Sequence, residues 1–127
     1  MRVYDGFEPS GRIHIAQGLM KAINVNRMVK CGCKMVFYIA DWFAFLNNKC
    51  GGDLEKIQRL GKYFIEVWKA SGMKMEAVEF IWASELIKNK PEYWHMVMDI
   101  ARQNTLTRIQ RCSTIMGRSE SNDQPVA

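Results

Sequence analysis

Long apolar segments are the first feature that this sequence lacks. In its 127 residues no apolar stretch approaches the ~18 residues that a membrane-spanning helix needs. Asp5 and Glu8 also interrupt the N-terminus before the apolar region of a signal peptide can develop. We therefore expect a cytoplasmic protein that has no membrane partner.

Paired cysteine motifs are missing too. The four cysteines form no C-x-x-C pair, and no histidine stands at zinc-site spacing from Cys31 and Cys33. Repeats and low-complexity segments are likewise absent. These absences predict reduced thiols and no protein-bound metal.

What the chain does contain is enough apolar material for one folded domain. Apolar residues make up 48% of the sequence, which predicts a sizeable core. Lysine and arginine together number 18 against 13 aspartates and glutamates. This excess allows an anionic partner such as a nucleotide or a nucleic acid, but it does not require one.

The first 41 residues show a strand, a turn, a helix and a second strand. "RVYDGF" is β-prone, and Pro9, Ser10 and Gly11 then mark a turn. "HIAQGLMKAINVNRMVK" has apolar residues near helical spacing, and "KMVFYIAD" is a continuous apolar run typical of a buried parallel strand. The order predicts an α/β fold with a parallel sheet and flanking helices.

The rest of the chain continues this alternation. Asp53 is a good N-cap for a second helix that Gly72 ends, and "VEFIW" is the third strand. A helix beginning near Pro91 is predicted to place Trp94, Val97, Met98 and Ala101 on its inward face. We predict a last helix over 106–116, one domain over 1–118 and a polar tail over 119–127.

Ligands of such sheets collect at the carboxyl ends of the strands. That rule selects three segments, Tyr4–His14, Ala40–Asn48 and Trp82–Ile87. In the first, Gly11 and the following helix N-terminus suit a phosphate, and His14 adds a donor. An ordinary turn with His14 at the helix start is an equally good interpretation of this spacing. Asp41 is predicted to cap the turn after its strand.

Four quoted blocks carry a family resemblance. "FEPSGRIHIAQG" resembles the first signature of class I aminoacyl-tRNA synthetases, in the form found in eukaryotic and archaeal-type tyrosyl-tRNA synthetases. "IADWFAFLNNKCGGDLEKI", "VEFIWASE" and "YWHMVMDIARQNTLTRIQRCSTIMGRSE" resemble later blocks of the same family, in the same order. The resemblance covers Val3 to Glu120 and implies the first half of a Rossmann-like catalytic domain.

The resemblance implies a reaction and its partners. The family activates L-tyrosine with ATP, which Mg²⁺ accompanies, and transfers the tyrosyl group to tRNA(Tyr). It also implies a homodimer for the complete enzyme. Residue by residue, it implies catalytic roles for His14, Gln17 and Ser10, ATP or adenylate contacts for Gly6, Glu8, Pro9, Gly11, His14 and Ala16, tyrosine contacts for Tyr4, Gly6, Ala40, Phe43 and Ser84, and tRNA contacts for Arg108, Arg111 and Arg118.

Several alternatives stay open. Tyr4 also suits an ordinary half-buried strand tyrosine, and the arginines suit a solvated basic face. The second family signature, Lys-Met-Ser-Lys-Ser, does not occur, so we expect the chain alone to be inactive. A non-catalytic nucleotide- or tRNA-binding module is one alternative. Another small nucleotide-binding enzyme, including the related tryptophanyl-tRNA synthetase, is a second, although Tyr4 and "ADWFAFLNN" favour the tyrosyl type.

Overall fold

The structure, a computed structural model, describes residues 1–115. The chain divides into two units, the first of which is Met1–Leu86, while the second begins at Ile87. The predicted end of helix at 116, the domain boundary at 118, Arg118 and the tail over 119–127 lie outside the described residues.

All three predicted strands are present. They are β1 (Arg2–Phe7), β2 (Lys34–Ile39) and β3 (Val78–Trp82), and they form a parallel sheet in the order β1-β2-β3. The parallel α/β class predicted from the alternating pattern is confirmed. The second strand ends at Ile39, two residues earlier than the apolar run suggested.

Six α-helices surround or follow these strands within the described residues. A five-residue π-helical turn, Ala16–Met20, leads into the first of them. Two short 3₁₀ turns, Lys49–Gly51 and Met75–Ala77, complete the helical elements. The helices are α1 (Lys21–Lys30), α2 (Asp41–Leu46), α3 (Leu54–Ala70), α4 (Ala83–Lys88), α5 (Glu92–Arg102) and α6 (Leu106–Ile115).

Helix α3 carries the predicted apolar face. The Asp53 side chain accepts a hydrogen bond from the Lys56 amide at 3.0 Å, which satisfies a donor at the helix start. Ile57, Gly61, Phe64 and Trp68 are buried at helical spacing. Truncating a buried aromatic side chain such as Phe64 would cost about 3 to 5 kcal/mol.

The core of the first unit lies between α1, α3 and one face of the sheet. Phe37 of β2 stacks on Trp68 of α3 with ring centroids 5.0 Å apart. Phe7 of β1 meets the Trp68 ring edge to face at 4.9 Å. Ala22 and Val25 of α1 are buried in the same cluster. The core therefore joins both helices to strands β1 and β2 through one tryptophan.

Three details differ from the sequence predictions. The short helices α2 and α4 were not predicted, because six residues are too few to show helical periodicity. The inward face predicted for α5 is wrong, since Trp94, Val97 and Met98 are 49%, 36% and 63% exposed. Helical periodicity shows that a helix has an apolar face, but it does not show what covers that face.

Candidate functional site

The carboxyl ends of the three strands lie level with one another. Phe7 is paired in register with Ile39, and Ile39 with Trp82. The amide of Ala40 donates to the carbonyl of Phe7 at 2.9 Å, which continues the alignment one residue past β2. The three segments predicted to contact ligands therefore follow neighbouring strand ends along one edge of the sheet, as expected.

The turn after β1 is anchored at its first two residues, Glu8 and Pro9. Pro9 is fully buried. The carboxylate of Glu8 accepts a hydrogen bond from the Asn47 side-chain amide at 2.7 Å, which ties the turn to the segment after α2. Gly11 has φ = +77°, a conformation that costs other residues energy, although an added Cβ would meet no atom within 4 Å. The glycine is therefore required by backbone conformation and leaves open space beside the turn.

The signature segment follows as the start of a helix. The carbonyl of His14 accepts from the Gly18 amide at 2.8 Å, so His14 stands at the N-terminal end of the helical segment. The side chains of Ser10, His14 and Gln17 are exposed, as is Ala16. Because a first helical turn leaves N–H groups without intrahelical partners, this end presents donors beside three polar side chains.

Tyr4 and Gly6 occupy the face of β1 turned away from the core formed with α1 and α3. Strand alternation puts Val3 and Phe7 against that core and leaves Tyr4 80% exposed on the opposite side. An added Cβ on Gly6 would lie 3.8 Å from the carbonyl oxygen of Tyr38. Gly6 therefore lies beside Tyr38 of β2, on the same face of the sheet as the Tyr4 ring.

Asp41 is the only buried charged residue found in the described part of the chain, with 0% exposure. One carboxylate oxygen accepts from the Trp42 amide at 3.0 Å and the Ser84 amide at 3.1 Å. The other accepts from Gln58 Nε2 at 3.0 Å and Ser84 Oγ at 2.6 Å. Asp41 was predicted to cap the turn after its strand. It is instead the first residue of α2, where its carboxylate bonds the next amide and joins α2, α3 and α4.

Asp41 and its partners Trp42, Gln58 and Ser84 form a cluster that we call the Asp41 hub. The residues predicted to border tyrosine lie next to this hub or belong to it. Ala40 is buried and Phe43 is 38% exposed, so Phe43 presents a ring to solvent from the first turn of α2. Ser84 uses its hydroxyl to donate to Asp41. The hub therefore holds the starts of two helices at adjacent strand ends, and Ser84 contributes to this edge through its backbone and its bond to Asp41.

A basic cleft opens beside the signature turn, and sequence reasoning missed it. It has a volume of about 970 Å³. Its cationic residues are Arg12 from the turn and Lys56 and Arg59 from α3, of which Arg59 also pairs with Glu55 at 3.4 Å. The i, i+3 spacing of Lys56 and Arg59 was the available signal. The remaining lining residues are Gly11, Ile13, Cys50, Leu60 and Tyr63.

Two arginines of the second unit, Arg108 and Arg111, lie on α6. Arg108 and Arg111 are exposed and three residues apart, which places them on one side of the helix. The nearby Arg102 is paired with Asp99 at 2.7 Å. A basic strip on α6 is therefore available for an anionic partner.

Neither a metal cluster nor a membrane span is found in the part of the chain described. Residues 1–115 contain no group of three or more histidines, cysteines, aspartates or glutamates that could hold a metal ion. Over the same residues no helix is both long enough and apolar enough to cross a membrane. The four cysteines, all within the described residues, form no disulfide with one another.

Known proteins similar to this chain share one name. The family model for class I tRNA synthetases (W and Y) matches residues 1–127. Tyrosine–tRNA ligase 1, cytoplasmic, from Arabidopsis thaliana is 62% identical over 125 residues, covering 98% of this chain and 32% of the ligase. The tyrosine–tRNA ligase of Picrophilus torridus is 44% identical, covering 94% and 36%. The chain thus spans about a third of the length of these curated relatives.

Solved structures agree in both fold and name. Leishmania major tyrosyl-tRNA synthetase in complex with tyrosinol superposes with a TM-score of 0.81 at 59% identity, covering 95% of this chain and 18% of that one. Pyrococcus horikoshii tyrosyl-tRNA synthetase complexed with L-tyrosine gives 0.72 at 39% identity, covering 97% and 35%. The Rossmann-like class I fold predicted from the sequence is therefore confirmed.

Proposed function

The chain belongs to the class I tRNA synthetases of the W and Y group, and we propose from this premise that it is the N-terminal part of the catalytic domain of a tyrosine–tRNA ligase. One observation carries the proposal. The three strand ends are in register, so the signature turn, the start of α2 and the start of α4 follow one edge of the sheet. That edge is where a parallel sheet of this type binds its ligands.

The proposed reaction has two steps. The carboxylate of tyrosine attacks the α-phosphorus of ATP, which forms tyrosyl-adenylate and releases pyrophosphate. The tyrosyl group then passes to the 3′ end of tRNA(Tyr), and AMP leaves. Mg²⁺ is expected to accompany ATP, coordinated by the phosphates of the nucleotide, rather than as a resident metal of this chain.

Residues of the signature turn would act on the departing pyrophosphate. Negative charge builds up there in the transition state, and donors already aimed at it lower the barrier without reorganising. His14, Ser10 and Gln17 supply side-chain donors, and the helix start supplies N–H groups. Gly6, Glu8, Pro9, Gly11 and Ala16 would border the adenylate. Arg12, Lys56 and Arg59 give the adjoining cleft a positive potential that favours polyphosphate.

The substrate tyrosine would lie along the open face of β1. Tyr4 and Gly6 are exposed there, and Ala40, Phe43 and Ser84 follow at the next two strand ends. A phenol on Tyr4 can exchange a hydrogen bond with the substrate hydroxyl. Such a bond discriminates against phenylalanine, because the partner would then be left unpaired.

The remaining parts of the proposal concern partners and location. Arg108, Arg111 and Arg118 would contact the phosphates of tRNA. The complete enzyme would be a homodimer. Since the Arabidopsis relatives are named cytoplasmic, we place this protein in the cytoplasm.

The test is tyrosine-dependent exchange of labelled pyrophosphate into ATP. Two proteins are assayed: the 127-residue chain, and a chimera in which this chain replaces the matching segment of Arabidopsis thaliana tyrosine–tRNA ligase 1 (the Arabidopsis chimera). Phenylalanine and tryptophan serve as control substrates. Exchange by the chimera with tyrosine alone supports the proposal, whereas exchange with tryptophan instead overturns its specificity.

A second candidate function is a non-catalytic nucleotide- or tRNA-binding module. The observation that favours it is the open face of β1, where Tyr4 is 80% exposed. If the chimera is active but the chain alone binds ATP without exchange, the isolated chain acts as such a module.

A further inference from the structure

One buried side chain bonds directly to the backbone of the signature helix. The indole N–H of Trp68 in α3 donates to the carbonyl oxygen of Gln17 at 2.7 Å. Trp68 is only 1% exposed, and it lies 51 residues away in the sequence. The contact therefore connects the core of the first unit to the proposed catalytic turn.

The π-helical geometry explains why this carbonyl can accept a side-chain donor. In a regular α-helix the amide of Lys21 would donate to the carbonyl of Gln17, four residues earlier. Here the Lys21 amide donates to the carbonyls of Ala16 and Gly18. The indole of Trp68 thus takes the place of the regular helical donor to Gln17. A helix carbonyl that loses its regular donor needs another partner.

The indole itself has little freedom to move. Its ring packs against one aromatic ring from each strand of the sheet, Phe7 at 4.9 Å, Phe37 at 5.0 Å and Phe80 at 6.2 Å. Its neighbour Val67 lies against the buried Gly18, where an added Cβ would be 3.8 Å from Val67 Cγ1. The sheet therefore sets the position of the Trp68 N–H, and that N–H sets the position of the π-helical turn.

We propose that Trp68 is a positioning residue, whose indole N–H holds the turn Ala16–Met20 in its π-helical form and thereby aims His14 and Gln17 at the ligand edge of the sheet. The physical reason is rotational. Helix α1 is anchored in the core by Ala22 and Val25. If the turn relaxed to a regular α-helix, the residues before it would rotate by about 100° relative to that anchor. The catalytic consequence rests on the proposed function.

The first test measures the contact without any reaction. In the 127-residue chain, hydrogen exchange is followed by mass spectrometry in Trp68→Phe and in a matched core variant of the same helix, Phe64→Leu. Trp68→Phe keeps the aromatic packing but removes the N–H. We expect exchange over residues 15–21 to accelerate about tenfold or more in Trp68→Phe only. Unchanged exchange over 15–21, or equal acceleration in both variants, would overturn the proposal.

The second test uses the Arabidopsis chimera and separates kcat from KM. Trp68→Phe is expected to lower kcat of pyrophosphate exchange about 10- to 100-fold, because a displacement near 1 Å at the reacting groups has effects of this size. KM for tyrosine should change little, and Phe64→Leu should leave kcat unchanged. An unchanged kcat in Trp68→Phe would overturn the catalytic role. If the unsubstituted chimera shows no exchange, the proposed function fails, whereas the hydrogen-exchange result still decides the positioning of the turn.

Discussion

Ser84, the second residue of α4, donates two hydrogen bonds to the carboxylate of Asp41. Its backbone amide lies 3.1 Å from one carboxylate oxygen, and its hydroxyl lies 2.6 Å from the other. Asp41 is the second residue after the end of β2, and Ser84 is the second residue after the end of β3. The same carboxylate holds Gln58 of α3. A single buried side chain thus connects two strand ends and the helix between them. The carboxylate is the acceptor in all four of its hydrogen bonds.

Replacing Asp41 by asparagine should destabilise the first unit by about 2 to 3 kcal/mol, because an amide group would face donors that need an acceptor. Ser84→Ala removes one donor and keeps the carboxylate, so its cost should be nearer 1 kcal/mol. Urea unfolding of the two variants measures both values. A cost for Asp41→Asn below ~0.5 kcal/mol, the size typical of surface changes, would contradict this account.

Gly61→Ala tests the close approach of α3 to β3. An added Cβ would lie 2.7 Å from Cη2 of Trp82. The overpacking should cost about 1 to 3 kcal/mol, enough to outweigh the gain in helix propensity of about 1 kcal/mol. Gly18→Ala is the matched control, since its Cβ would be 3.8 Å from the nearest atoms. In thermal unfolding, the Tm of Gly61→Ala should be lower than that of the unsubstituted chain. The Tm of Gly18→Ala should be well above that of Gly61→Ala.

Gly11→Ala tests whether the signature turn needs a positive φ at this position. Steric clashes do not complicate the test. Alanine fits without a clash, so the expected cost of about 1 to 2 kcal/mol comes from φ = +77° alone. Gly11→Asn should cost less, because asparagine visits this conformation more readily. Urea unfolding of both variants measures their free energies of unfolding and checks that Gly11→Asn is the more stable of the two. Equal stability of Gly11→Ala and the unsubstituted chain would mean that the turn does not need this conformation.

His14→Ala in the Arabidopsis chimera should lower the rate of pyrophosphate exchange by about 100-fold or more. The side chain is exposed, so the free energy of unfolding should change by less than ~0.5 kcal/mol. His95 in α5 is the second of the chain's two histidines and is also exposed, which makes His95→Ala the matched control. An unchanged exchange rate in His14→Ala would remove this residue from the mechanism.

Tyr4→Phe should reduce discrimination between tyrosine and phenylalanine. Loss of one hydrogen bond to the substrate phenol is expected to raise KM for tyrosine about tenfold and to leave KM for phenylalanine almost unchanged. Steady-state exchange by the Arabidopsis chimera with each amino acid gives the ratio. Tyr93→Phe in α5, a tyrosine to which no substrate contact is assigned, is the control. A ratio that stays the same would return Tyr4 to the interpretation of an ordinary strand tyrosine.

The strands were the best predicted elements. "VEFIW" was predicted residue for residue, because a short apolar run between turn signals has few alternatives in an alternating chain. The helix over 14–30 was also predicted, but its buried positions are Gly18, Ala22 and Val25 rather than the larger apolar residues. Glycine and alanine carry little hydrophobic signal. Gly18 lies against Ile13 and against Val67 of α3, whereas Ala22 and Val25 belong to the core cluster.

The candidate site was predicted in part. The signature turn, Tyr4 and the three strand-end segments come from local patterns and a family resemblance, and they lie where a parallel sheet requires. The Asp41 hub was predicted only as a local cap. The basic cleft and the bond from Trp68 to Gln17 join residues up to 52 positions apart. Spacing along the chain contains no information about such pairs.

The sequence by itself determined the order of the strands and of the longer helices, and the parallel sheet, because these depend on periodicity, turn residues and the handedness of crossovers. Only the tertiary structure decided which donors reach Asp41, which glycine must stay bare against Trp82, and which buried N–H supports the signature turn. The physical reason is that hydrogen bonds and close packing act over a few ångströms in space. The chain brings those atoms together only after the sheet and helices have assembled.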